Sequence, residues 1–176
     1  MLTTTQLGKK TALSVPKLCL GTMNFGEPGR GHQGDWTLGI DDARPIFEAA
    51  IESGLFYFDT ADIYGVGACE EVVGQILREL LPREEYVINT KVSMPMGRNP
   101  NLGGLSRKHI IEGLDNSLKR LGLEYVDQLI IHRHPHGIPG AHPAPIEETL
   151  EALHDVVKAG KAMHIGASSM FAWQFA

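Results

Sequence analysis

Phe56-Tyr57-Phe58-Asp59-Thr60-Ala61-Asp62-Ile63-Tyr64-Gly65 is the stretch on which the fold of this chain turns. Its first half, aromatic and apolar between Gly54 and a polar turn, is of strand type. Its second half leaves the strand with Asp59, Asp62 and Tyr64 and enters a loop ending at Gly65 and Gly67. A buried strand that delivers an acid and a phenol at its carboxyl end is how parallel α/β proteins present reactive groups. Taken singly, Asp59 is better read as a cap of the next helix and Tyr64 as a residue packed against it. Lys91 and His132, which end two later strand-like runs, change that balance.

Outward from this stretch, strand and helix patterns alternate. Upstream, Thr4–Leu7 and Thr11–Ser14 flank Gly8-Lys9-Lys10 as a polar hairpin, and Leu18–Thr22 reads as a first buried strand. A long Gly-rich loop, Asn24 to Gly39 with Trp36 near its end, leads to a helix whose stripe is Ile46, Phe47, Ala50 and Ile51. Downstream, the Glu70-Glu71 start and the stripe Val72, Val73, Ile76, Leu77 and Leu80 predict a helix stopped by Pro82. Tyr86–Val92 is the next strand, and Ser106 caps a helix that ends at Gly122. Tyr125–His132 is a fourth strand. A helix follows Pro145 with the stripe Ile146, Thr149, Leu150, Leu153, Val156 and Val157. Lys161–Ser168 is a fifth strand, after which Phe171 and Trp173 are expected to pack on the barrel.

Such alternation argues for a parallel sheet with right-handed crossovers. The strand ends at Gly21, Thr60, Lys91, His132 and Ser168 lie 39, 31, 41 and 36 residues apart. That spacing fits (β/α)₈ units, of which about 250 residues make eight. The expectation is therefore an incomplete TIM-type barrel, five of eight units preceded by a β-hairpin. Residues 1–176 would form the amino-terminal portion of a single domain, with its carboxyl-terminal units absent. A doubly wound sheet is the alternative, disfavoured because no GxGxxG or GxxxxGK[ST] follows the first strand.

Composition excludes several classes. The chain is 43% hydrophobic and 21% charged, with a net charge of −5, and carries no basic patch for nucleic acid or an anionic membrane. Its amino terminus lacks the apolar core of a signal peptide, and no apolar run spans a bilayer. Cys19 and Cys69, far apart and without a CxxC pair, suit reduced thiols in the cytoplasm.

In a parallel barrel, Asp59, Lys91 and His132 would converge on the carboxyl-terminal mouth, with Tyr64 just beyond. A tyrosine hydroxyl titrates at about 10, and an ammonium held beside it favours the phenolate. Asp59 would keep Lys91 charged and aimed, and His132 would orient a substrate carbonyl. Reduction of that carbonyl needs a proton on oxygen and a hydride on carbon, the hydride coming from a cofactor.

These residues resemble the aldo-keto reductase family, in the aryl-alcohol dehydrogenase-like branch with an FDTADxYG…E…G signature. The signature is present as Phe58–Gly65 followed by Glu70 and Gly74. Supporting matches are Leu20-Gly21-Thr22-Met23, Asn89-Thr90-Lys91-Val92, Asp127–His132 and Ile165-Gly166-Ala167-Ser168-Ser169. The resemblance implies NADPH-dependent reduction of an aldehyde or ketone. In it Tyr64 is the proton donor, Lys91 and Asp59 are its tuning pair, and His132 positions the substrate carbonyl. It further implies that Ser168 and Ser169 hold the nicotinamide carboxamide, and that Gly21, Thr22, Met23 and Asp59 line the nicotinamide ribose. Trp36 would wall the substrate pocket. Family members place their groups for the remainder of NADPH beyond the point matched by Ala176.

Two rival readings remain. His132-Arg133-His134, with His136 and His142 nearby and Lys91 as a modified bridging ligand, could be the zinc site of a TIM-barrel hydrolase. Alternatively the chain is a non-catalytic nucleotide-binding subunit. An open barrel edge would in either case favour self-association. His32, His109, His154 and His164 read as surface or structural residues.

Overall fold

The computed structural model describes residues 2–9, 11–134 and 143–176. The hairpin comes first: β1 (Thr4–Gln6) pairs antiparallel with β2 (Ser14–Pro16), Thr4 opposite Pro16. The second strand begins at Ser14, later than the expected Thr11. The bond from Leu7 N–H to Leu13 O closes a wider loop around Gly8 (φ +86°).

Five parallel strands follow: β3 (Leu20–Gly21), β4 (Tyr57–Asp59), β5 (Val87–Val92), β6 (Val126–Ile131) and β7 (Ala162–Ala167). They stand side by side in chain order, β3-β4-β5-β6-β7. A doubly wound sheet reverses its strand order at a switch point. Strictly sequential neighbours are instead the winding of a (β/α) barrel, so the barrel-type expectation is borne out, with five strands among the described residues. The crossovers are α1 (Ile40–Glu52), α2 (Ala68–Leu80), α3 (Arg107–Leu121) and α4 (Ile146–Lys158). A short α5 (Ala172–Phe175) comes after β7.

Local chemistry explains the helix limits. The Ser106 hydroxyl accepts from His109 N–H as the N-cap of α3, and Gly122 closes that helix in the left-handed conformation. β5 is central and buried at all six positions. Between sheet and helices, Phe25, Phe47, Phe58 and Tyr86 form a column with ring centroids 5.2, 5.5 and 6.3 Å apart. Such pairs add about 0.5–1.5 kcal/mol each beyond their burial.

Three packing expectations need correction. The first parallel strand is a two-residue edge rather than a buried strand: Leu18 is 60% exposed and Cys19 is exposed. In α4, Ile146 and Leu150 face outward while Thr149, Ala152, Leu153 and Val156 are buried. The stripe read from the sequence is one row too wide. Phe171 and Trp173 do not pack on the barrel. They stack on each other, 6.4 Å apart and 8° from parallel, with both rings exposed.

Glu70 and Gly74 have structural reasons to stand where they do. Glu70, at the positive end of the α2 dipole, is fully buried. It accepts from Arg120 Nε at 2.7 Å and from the Thr90 hydroxyl, and so ties α2 to α3 and β5. A Cβ on Gly74 would lie 2.6 Å from Leu121 Cα, so only glycine lets α2 approach the end of α3. Gly67 (φ +93°) has no room for a side chain either, because Arg120 passes over it.

Candidate active site

Alternation along β5 sorts its polar residues onto two faces. Thr90 turns toward the helices and meets Glu70, whereas Asn89 and Lys91 turn to the opposite face. There Asn89 Nδ2 donates to the Tyr57 hydroxyl at 2.8 Å. One step nearer the mouth, Lys91 Nζ sits 2.6 Å from Asp59 Oδ2 and donates to Thr60 O at 2.8 Å. Its third partner is the Tyr64 hydroxyl at 3.3 Å, and its charge lies 5.0 Å from the centre of the Tyr64 ring. Lys91 is almost fully buried, so this ion pair is shielded from water on the lysine side.

Tyr64 reaches that point because the chain turns sharply after it. Gly65 (φ +57°), Val66 (φ +49°) and Gly67 form a left-handed corner that swings the backbone into α2. A β-branched residue at positive φ is unfavourable, and Val66 is held there by its bond to Ile63 O. His132 follows β6, its N–H bonded to Val92 O at 2.9 Å. Its ring meets Tyr64 edge-on, with centroids 5.6 Å apart and planes at 85°. Burial, and then the charges of Lys91 and Arg133, push the His132 pKa down to about 4. The imidazole is therefore neutral at physiological pH, with one nitrogen to donate and one to accept. Nδ1 is buried with no hydrogen-bond partner.

These four side chains open on one cleft of about 470 Å³, within the roughly 300–1,000 Å³ range of small-molecule sites. Met23, Trp36, Ser168 and Ser169 line it as well. Ser168 Oγ donates to His132 O and lies 3.2 Å from Ser169 Oγ. The structure thus brings Asp59, Tyr64, Lys91, His132, Met23, Trp36, Ser168 and Ser169 together.

It does not bring Gly21 or Thr22 with them. Gly21 pairs with Asp59 in the sheet and does not itself line the cleft. Thr22 is fully buried, its hydroxyl donating to Asp59 O at 2.9 Å and lying 3.2 Å from Cys69 Sγ. Its side chain secures the end of β4. His32, read as a surface or structural residue, lines the cleft with Gln33, Met94 and Arg133, all three missed from sequence. Gln33 Nε2 donates to Met23 O at 2.6 Å, which folds the long loop over the mouth. Only the length of that loop hinted at this.

For the hydrolase reading, Lys91 is already committed to Asp59, Thr60 and Tyr64. Among the described residues no three His, Cys, Asp or Glu side chains are arranged to hold a metal ion. His136 and His142 lie outside the described residues. No helix of the described residues is long and apolar enough to cross a membrane.

The family model of the aldo/keto reductase family matches residues 17–176. The chain is 40% identical to versiconal hemiacetal acetate reductase of Aspergillus parasiticus, over 94% of this chain and 50% of that protein. It is 37% identical to a Schizosaccharomyces pombe protein whose name includes aryl-alcohol dehydrogenase, over 94% and 51% respectively. Among solved structures, the holo form of aldo-keto reductase AKR11C1 from Bacillus halodurans superposes with a TM-score of 0.75 at 29% identity. That match covers 96% of this chain and 51% of that one. The chain spans about half the length of the curated relatives it matches. By its family model, its relatives and its fold, this chain belongs to the aldo/keto reductase family.

Proposed function

We propose that this site reduces an aldehyde or ketone to an alcohol with NADPH, and that Tyr64 supplies the proton. The observation that carries the reading is the ammonium of Lys91, 2.6 Å from Asp59 and 3.3 Å from the Tyr64 hydroxyl, beside a neutral His132. Lys91 places positive charge where negative charge develops as the phenol oxygen gives up its proton. Asp59 and Thr60 O hold that ammonium in place, so little reorganisation is needed during reaction. His132 donates its single N–H to the substrate carbonyl and brings the oxygen to Tyr64.

A nicotinamide fits the cleft. The hydroxyls of Ser168 and Ser169, close together at its edge, offer donors and acceptors for a carboxamide, and Met23 offers an apolar surface. When bound, the cofactor supplies the hydride for the carbonyl carbon. Both cysteines are free, which supports a reducing compartment such as the cytoplasm.

The test is NADPH oxidation with an aromatic aldehyde, alongside NADPH titration by nucleotide fluorescence, in wild type and Tyr64→Phe. Loss of a general acid costs roughly 10²–10⁴ in rate. The variant should lose that much turnover and keep its cofactor affinity. Wild-type rates in Tyr64→Phe would remove Tyr64 as the acid. Cofactor binding by wild type without turnover of any aldehyde would favour the nucleotide-binding reading.

A further inference from the structure

We propose that the small pocket between α3 and the loop carrying Tyr64 is a built site for ordered water, which bonds Asp62 to His109 and makes His109 a positioning residue for Tyr64. The value of placing Tyr64 rests on the carbonyl-reduction reading of the cleft; the water site does not.

The pocket has a volume of about 50 Å³ and shares no lining residue with the catalytic cleft. Asp62, His109, Gly113 and Arg120 line it, and Glu112 and Asn116, both exposed, form its rim. Asp62 is 1% exposed and His109 3%. Even so, Asp62 Oδ1, Asp62 Oδ2 and His109 Nε2 have no hydrogen-bond partner among the described residues. Buried polar atoms are nearly always satisfied, by protein or by ordered solvent. Here three orphan atoms share one pocket with room for a water, which takes about 30 Å³ in the liquid.

Charge favours a neutral occupant over a cation. Arg120 is paired with Glu70, and Glu112 with Lys108. Burial lowers the His109 pKa, while burial and then Glu70 raise that of Asp62, so both groups are driven toward their uncharged forms. A neutral imidazole and a protonated carboxyl each offer one donor and at least one acceptor. The two do not bond to each other, so a bridging molecule must both donate and accept, as water does.

The ring that faces this pocket is held from behind. The His109 N–H bonds to the Ser106 cap, in the first turn of α3. Gly113, one turn on, leaves the ring its space: a Cβ there would lie 3.0 Å from Val92 Cγ2 and 3.8 Å from His109 Cε1. The other flank of α3 is occupied elsewhere, Arg107 with Asp155 and Asp115 with Lys161.

Asp62 stands two residues before Tyr64 in a segment whose own backbone bonds are long. Asp62 N–H to Lys91 O and Tyr64 N–H to Ala61 O both measure 3.3 Å. An anchor from the Asp62 side chain through water to α3 therefore helps set where the phenol lies relative to Lys91 Nζ, 3.3 Å away.

The test is a set of crystal structures of the full chain, in wild type, His109→Leu and His109→Gln, at a resolution that shows ordered solvent. Wild type should hold a water at hydrogen-bond distance, about 2.5–3.2 Å, from an Asp62 carboxyl oxygen and from His109 Nε2. His109→Leu should lose that bridge, and the Tyr64 hydroxyl should move away from Lys91. His109→Gln, whose amide stands in for Nε2, should keep both. Asp62→Ala removes the other end of the bridge and serves as the second variant where His109→Leu does not fold. An empty pocket, a direct Asp62–His109 bond or a metal ion in wild type overturns the proposal. An unmoved Tyr64 in the variants overturns the positioning role. Kinetics read the same role: His109→Leu should lower kcat roughly tenfold to hundredfold, the scale of a small misplacement, with NADPH affinity unchanged and His109→Gln close to wild type. Normal turnover in Tyr64→Phe would refute the acid and leave the water site standing, whereas an empty pocket with an inactive Tyr64→Phe would do the reverse.

Discussion

Replacing Arg120 by Met should destabilise the fold far more than an ordinary surface change. Glu70 is completely inaccessible to water, and Arg120 is the cation that meets it, Nε to Oε2 at 2.7 Å with 19% of its own side chain exposed. Beside them Asp62 is 1% exposed with neither carboxylate oxygen hydrogen-bonded. Without the guanidinium, one buried carboxylate would face another across low-dielectric packing. Breaking a buried pair by removing one partner costs about 3–5 kcal/mol. That is a large share of the roughly 5–15 kcal/mol that holds a domain together. With a urea slope of about 2 kcal/mol per molar, the midpoint should fall by about 1.5–2.5 M. Urea unfolding followed by circular dichroism measures this directly. Glu70→Gln in the same background should restore part of the loss, because no buried charge is then left alone, giving a coupling of at least about 2 kcal/mol in the double-mutant cycle. A loss below about 1 kcal/mol for Arg120→Met, or the absence of coupling, would show that Glu70 does not depend on Arg120.

Three further expectations come from other places in the fold. Burial first, and then the charge of Glu70, hold the Asp62 pKa well above the usual carboxylate range. The stabilising proton is thus present below the unfolded value of about 3.9 and is lost as pH rises through the folded value. Asp62→Asn should therefore unfold with a flatter pH dependence than wild type and gain relative stability toward neutral pH; parallel curves would show that Asp62 titrates normally. Gly74→Ala should cost about 1–3 kcal/mol or more through collision with Leu121, read as a lower thermal midpoint, and an unchanged midpoint would show that α2 and α3 can part cheaply. Finally, Met163 and Ile165 on the edge strand β7, with Phe171, Trp173 and Phe175 beyond it, are exposed. We propose that the chain self-associates there. Sedimentation velocity should show mass rising with concentration and falling in Trp173→Ser, and a concentration-independent monomer would refute this.

Much of the architecture is local information, and local information is legible in a chain read by itself. Helix periodicity in Val73, Ile76 and Leu77, the cap at Ser106, the glycine stop at Gly122 and the apolar runs of β5 and β6 all act over a few residues. The regular spacing of strand ends then implied a barrel-type winding, and with it that Asp59, Lys91 and His132 share one mouth. The tertiary structure decided what depends on residues brought together from afar. Whether Leu18 is covered, and whether Ile146 and Leu150 face inward, depends on neighbours that the local pattern does not name. That Glu70 is buried is decided by Arg120, fifty positions later. Thr22 leaves the cleft because Cys69 and the carbonyl of Asp59 claim its hydroxyl. His32 and Arg133 enter it because Gln33 and Ser93 fix the backbone beside them. Periodicity records which side of its own element a residue occupies, whereas partner, burial and charge balance are properties of the packed chain.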